Sequence, residues 1–226
     1  MDKMSKTSLP SHRNLKNAKR PLGKANAKTK VRNPQATRAQ ILDVAFHEIF
    51  RNGFQGVSIN DILEKTDLTK GAFFHHFPTK EALGYAIVDE TLRKMTIDRW
   101  IAPLDEYENP LEGITINLKK IIDASPEEHL SLGCPLNNLI QEMSSVDPVF
   151  RDKLRDVLEI WISGIEKNLK RAESRGHLRK GVNIRHLAEF IVMNHEGAYG
   201  MVKILRDKKV FRALHQHLKE HLAAQA

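Results

Sequence analysis

The chain has 226 residues, 41% apolar and 28% charged, the proportions of a globular protein with one substantial core. No stretch approaches the roughly 18 consecutive apolar residues of a membrane span, and residues 1–33 hold no apolar core of a secretory signal. The single cysteine, Cys134, excludes an intrachain disulfide and points to a reducing, cytoplasmic setting.

Charge divides the chain unevenly. Residues 1–33 carry ten lysines and arginines against the single acid Asp2, a balance of +9, which leaves −1 for the rest of a chain whose total is +8. With almost nothing apolar to bury, this stretch is predicted to be a disordered basic tail. It reads either as an arm for polyanions, gaining affinity by counterion release from phosphates, or as a passive solubilising leader.

Three Asx-Pro pairs, Asn33-Pro34, Asn109-Pro110 and Asp147-Pro148, each precede a helical pattern, as when Asn or Asp caps and Pro takes the first helical position. After Pro34, the residues Ile41, Leu42, Ala45, Phe46, Ile49 and Phe50 share one stripe, and Gly53 ends the helix. A short second helix is capped by Ser58, with Asp61 at the capping-box position. Thr66 to Leu68 make a turn, and Thr69 caps a third helix reaching about Phe77. Thr79 caps a fourth, which can run to Ala102, where Pro103 forbids more. At ~1.5 Å per residue it would span roughly 35 Å and connect two domains. Further helices are expected from Pro110 to about Ala124, from Pro135 to about Ser145, from Pro148 to about Arg175, from Asn183 to about Arg206, and from Lys208 to Ala223. No alternating run is long enough for a sheet, so the fold class is all-α.

The second and third helices have the proportions of a helix-turn-helix unit. At ~100° per residue, Phe73 and Phe77 share the inner face of the third helix, while Gly71, Ala72, Phe74 and His75 face outward, flanked by Lys70 and His76. Two tiny residues near its start would let the backbone approach a nucleic-acid groove closely. Phe74 and His75 could then reach bases or sugar-phosphate. Thr69 and Lys80, at helix N-termini, stand where phosphates are favoured. Ser58 and Asn60, at the start of the second helix, complete the candidate DNA-contacting set. The adjacent histidines diverge by ~100° and cannot share a metal, and His217 and His221, though four apart, lie near the C-terminus and read as a solvated helix face. No metal site and no catalytic residue is assigned. No nucleophile-base pair or phosphate loop occurs, so an enzyme is not expected and no cofactor is called for.

The segment GFQGVSINDILEKTDLTKGAFFHHFPTKEAL resembles the DNA-binding segment of TetR-family repressors, without gaps, at Gly53, Phe54, Ser58, Ile62, Thr69, Gly71, His76, Phe77, Lys80 and Leu83. It departs at Leu63, Thr66 and Asp67, and at Phe74, where tyrosine is commoner and a phosphate-binding hydroxyl is therefore missing. Downstream, SLGCPLNNLIQEM and EGAYG resemble a subgroup that carries G-C-x-x-x-N-L-x-x-E followed later by E-G-A. The resemblance implies an N-terminal three-helix helix-turn-helix domain (34–78) and a larger helical effector-binding and dimerisation domain (79–226), with 79–102 as the connecting helix. It also implies a homodimer on a double-stranded, palindromic DNA operator, whose last two helices form the interface; Gly197, Ala198 and Gly200 would suit close contact there.

On this resemblance a small-molecule effector would bind in the larger domain. Cys134, Asn138, Trp100, Trp161, His195 and Tyr199 are the candidate lining residues. Cys134, just before Pro135, stands near a helix cap that could lower its thiol pKa, so an electrophile-sensing cysteine is weighed against a soft residue packed in a pocket. The expected function is a dimeric transcriptional repressor released from its operator by a small molecule or an electrophile. The alternative is a non-specific binder of nucleic acid or anionic surfaces, driven by the tail.

Overall fold

The computed structural model describes residues 33–226, so the predicted basic tail lies outside the described residues. Helix α1 (Pro34–Asn52) begins as the Asn-Pro pair dictates, with the Asn33 side chain accepting from Gln35 N at 3.0 Å. It stops at Gly53, whose φ of 81° is disfavoured for residues with a Cβ. Helix α2 (Ile59–Glu64) carries the full capping box: Ser58 N donates to Asp61 Oδ2 at 2.7 Å, and Asp61 N to Ser58 Oγ at 3.2 Å. Helix α3 (Lys70–His76) is capped by Thr69, whose Oγ1 accepts from Ala72 N. Ile41, Ile62, Phe73 and Phe77, all at most 2% exposed, bind the three helices into one small core.

The connecting helix differs from the uniform α-helix expected over 79–102. Helix α4 (Lys80–Ala86) passes into a π-helical stretch, Ile87–Leu92; a single α turn, α5 (Arg93–Thr96), leads to a second π stretch, Ile97–Ile101. Pro103 then falls near the start of a 3-10 turn, Ala102–Glu106, where its absent N–H costs no bond. Such π turns bulge a helix and often accompany functional sites.

The remaining helices are α6 (Pro110–Ala124), α7 (Glu127–Leu132), α8 (Pro135–Met143), α9 (Pro148–Ser174), α10 (Ile184–Leu205) and α11 (Lys209–Ala223). The short α7 is absent from the sequence expectation. The others match it to within about two residues: Asn109 and Asp147 cap as predicted, and Asn183, expected as a first helical residue, is the cap of α10. All described elements are helical, and no described helix is long and apolar enough to cross a membrane.

Residues 33–226 pack as one unit, joined at Gly84 of α4. A Cβ there would lie 2.4 Å from the Phe150 ring of α9 and 2.6 Å from that of Phe54 after α1. Only glycine lets these three segments meet. Around that point Tyr85 Oη donates to Asp147 Oδ2 at 2.7 Å, Arg38 pairs with Glu90 through both nitrogens at 2.5 Å, and Lys153 pairs with Asp89 at 2.5 Å.

Candidate functional site

Two regions hold the residues singled out from the sequence. The first is the outer face of α3. Phe73 is fully buried and Phe77 2% exposed, whereas Phe74 is 45% exposed although it follows Phe73 directly. Lys70, Gly71 and His75 are exposed with it, and a Cβ on Gly71 would meet nothing closer than Thr69 Oγ1 at 3.9 Å. Gly71 is therefore not required by packing inside the subunit. Ser58, Asn60 and Thr69 are exposed beside this face, though the Ser58 and Thr69 oxygens already accept capping bonds.

Ala72 sits differently from expectation, and Lys80 and His76 have ring contacts within the subunit. Ala72 is half-buried, packed against the core rather than fully outward. Lys80 lies with Nζ 4.6 Å from the centre of the Phe54 ring, an arrangement that spends part of its charge on an aromatic face. His76 is half-buried, its ring 5.2 Å from that of His75 in an edge-to-face contact. Among the described residues no cluster of three His, Cys, Asp or Glu could hold a metal ion.

The second region is a cavity of about 230 Å³ in the helical body. Trp100, Cys134, Trp161, His195 and Tyr199 all line it, so five of the six candidates come together. Asn138 lies outside. Its Nδ2 donates to Leu132 O at 2.8 Å and its Oδ1 accepts from Lys203 at 3.0 Å, which tethers the Gly133 turn before α8. The sequence reading missed the wall contributed by α1, namely Phe46, His47 and Phe50. Phe46 and Phe50 stack at 6.0 Å, four residues apart, and the same stripe that marked them as core aims them at the cavity.

Leu92, Thr96 and Trp100 complete that side; they lie in the connecting helix, in or beside its π stretches. At the deep end, His195 stands edge-on to Trp100 at 4.1 Å, Tyr199 at 4.7 Å and Trp161 at 5.1 Å.

The electrostatics of this deep end run toward neutral forms. Burial pushes the His195 imidazole down to about 3 and the Glu196 carboxyl up to about 7. Burial, reinforced by neighbouring Glu196, pushes the Cys134 thiol well up, and burial pushes the Tyr199 hydroxyl up as well. The helix-cap argument for a lowered Cys134 pKa is thus outweighed. The thiol is half-buried because it meets the cavity rather than bulk water. Among the described residues His195 Nδ1 has no hydrogen-bond partner, and the buried Glu196 carboxyl has none beyond the neighbouring Cys134 thiol.

A physical link joins the regions. Glu142, at the far end of α8 from Cys134, accepts from Phe54 N at 2.9 Å and from Gln55 N at 2.8 Å, in the turn between α1 and α2. It is the glutamate of the G-C-x-x-x-N-L-x-x-E motif, whose role the sequence alone left open.

Comparison with known proteins agrees with this architecture. Residues 41–87 match the family described as bacterial regulatory proteins, tetR family, and residues 110–218 the tetracyclin repressor-like C-terminal domain. The HTH-type transcriptional regulator of the lacX 3′ region of Lactococcus lactis is 28% identical over 193 residues, covering 84% of this chain and 94% of that protein. The HTH-type transcriptional regulator LmrA of Bacillus subtilis is 30% identical over 145 residues, 62% of this chain and 76% of LmrA. A TetR transcriptional regulator from Chloroflexus aurantiacus superposes with a TM-score of 0.76 at 27% identity, covering 85% of this chain and 96% of that one. The chain belongs to the TetR family of DNA-binding transcriptional regulators.

Proposed function

We propose that the protein is a dimeric repressor, released from a palindromic operator when a small molecule fills the cavity. The observation that carries this reading is the composition of the cavity wall. Phe46, His47 and Phe50 come from α1 of the DNA-binding part, and Trp100, Cys134 and His195 from the helical body. A ligand there touches both, so it can bias their relative placement, provided it binds the released arrangement more tightly. Residues 34–78 act as the DNA-binding unit and 79–226 as the effector-binding and dimerisation unit. Ser58, Asn60, Thr69, Lys70, Gly71, Phe74 and His75 are the groups offered to DNA, with Lys80 and His76 at the margin. The family is one of regulators rather than enzymes, and no catalytic residue is proposed.

The dimer reading is supported by α10. Met193, Met201, Ile204 and Leu205 are 53–79% exposed, and between them Gly197 and Gly200 have nothing within 4 Å of a Cβ. Apolar side chains exposed beside bare glycines suit the close approach of a second helix. An electrophile-sensing Cys134 is the weaker form of the effector reading, because a thiol held in its neutral form is a poor nucleophile.

The test is selection of duplexes from a random pool, followed by footprinting and sedimentation. A dimer should enrich a palindrome with half-sites about 10 bp apart and prefer it over random duplex by ~10³ or more at physiological salt. An unsymmetrical footprint, or equal affinity for all duplexes, would instead favour the polyanion binder that the charge of residues 1–33 suggests.

A further inference from the structure

The deep wall of the cavity points to the class of molecule that fits it, an inference that rests on the effector reading above. His195 is 4% exposed, and three aromatic rings surround it. Buried nitrogen atoms ordinarily find a partner, yet among the described residues its Nδ1 has none, and the residue lines the cavity. The imidazole, not one atom of it alone, is therefore the hydrogen-bonding group that the deep wall offers to whatever enters.

Among the described residues, Arg99 is the one permanently charged side chain lining the cavity, and it is exposed, as is His47. At the deep end, burial has driven His195, Cys134 and Glu196 toward their neutral forms. A charged group on a ligand would meet the same desolvation cost. The size is also bounded. A dry apolar cavity of about 150 Å³ accepts one benzene ring, so 230 Å³ has room for one or two fused rings. The flat walls given by Trp100, Trp161, Phe46 and Phe50 suit stacked or edge-on rings.

From this geometry we infer that the cavity takes an uncharged aromatic molecule of one or two rings, bearing a hydrogen-bonding group that pairs with the His195 imidazole.

The protein reports its own occupancy, because both of its tryptophans, Trp100 and Trp161, line the cavity. Tryptophan fluorescence of the full-length protein is titrated with two matched sets of probes. Benzamide, benzoate and benzamidine share one shape and differ in charge; phenol and toluene share one size and differ in the hydroxyl. Benzamide should bind about tenfold or more tightly than either charged partner, and phenol about 3–10-fold more tightly than toluene. His195→Phe keeps a ring in the cage and removes the nitrogens, so it should bring phenol to the level of toluene and leave toluene unchanged. Should this variant fail to fold, the phenol-to-toluene ratio in the native protein decides alone. Benzoate or benzamidine binding as tightly as benzamide, equal affinity for phenol and toluene, or no quenching by any probe would each overturn the inference. Operator binding by the ligand-free protein is measured in parallel. Tight operator binding with failed titrations defeats the ligand class alone, whereas successful titrations by a protein that selects no operator defeat the repressor reading.

Discussion

Helix α3 takes its shape from contacts within nine residues, whereas the cavity draws its walls from segments as far apart as Phe46 and Tyr199. On α3 the Thr69 cap and the Phe73–Phe77 pair fix the helix, and what remains, including Phe74 at 45% exposure, is free to meet a partner. In the cavity nearly every side chain serves both packing and lining, and among the described residues His195 Nδ1 is buried without a partner. The contrast suggests a division of labour in which a rigid, locally determined reading head is governed by a softer, jointly owned chamber. Substitutions at the seam test whether the two are one cooperative body.

The largest effect is expected at Phe150, which is fully buried with its ring 4.7 Å from Phe54 and 5.0 Å from Tyr85. Phe150→Ala should cost about 3–5 kcal/mol of unfolding free energy, read by denaturant titration. If the regions are one body, operator binding and cavity fluorescence will be lost together in a single transition. Two separated transitions would break the comparison and make the regions independent domains.

Next in size is Glu142, whose carboxylate holds both Phe54 N and Gln55 N. Glu142→Ala leaves two backbone donors of the α1–α2 turn without that partner, at a cost of about 1–3 kcal/mol. The more telling readout is coupling. Operator affinity measured with and without a cavity ligand should differ less in the variant than in the native protein, while ligand affinity itself stays within about twofold. An unaltered difference would mean that α8 does not carry the signal.

These residues also mark how far the sequence reaches. Caps made the helices legible: Asn33, Ser58, Thr69, Asn109, Asp147 and Asn183 are each read one or two positions before the element they start. The inner and outer faces of α3 followed from periodicity, except at Ala72, which is half-buried against the core. Trp161, His195 and Tyr199 could be guessed as lining because bulky or polar groups on long apolar helices need a place to go. Phe46 and Phe50 could not, since a stripe shows that a face is covered without showing what covers it. The π stretches of the connecting helix had no signature in residue type, and the two bonds of Glu142 depend on where distant chain segments meet.

A third test uses the cavity's own titration. Glu196 has its pKa raised by burial to about 7, so the folded state holds a proton that the unfolded state releases above about 4.5. Its contribution to stability is full below pH ~4.5 and lost as pH rises through 7. His195 has its pKa lowered to about 3, so its contribution is full above pH ~6.5 and lost as pH falls toward 3. The two slopes oppose each other, and each spans on the order of 1–2 kcal/mol after relaxation of the site. Glu196→Gln should flatten the decline between pH 5 and 7.5, and His195→Phe the rise between pH 4 and 6.5. Melting curves across pH in which Glu196→Gln leaves the neutral-side slope intact would show that the carboxyl is not buried as described.

The smallest effect in stability, and the sharpest for the recognition face, is expected at Phe74. Its ring is 45% exposed and rests edge-on against Phe73 at 5.5 Å, so an added hydroxyl displaces nothing within the subunit. Phe74→Tyr should leave stability within about 0.5 kcal/mol. It supplies the donor that the family's commoner residue would offer to a phosphate, and one such bond at a partly wet interface is worth roughly 0.5–1.5 kcal/mol, a several-fold gain in operator affinity. Because a phosphate contact carries no sequence information, the gain should be equal for operator and random duplex. A gain confined to the operator would place Phe74 against a base edge, and a loss would mean that the bare ring is itself packed against the DNA.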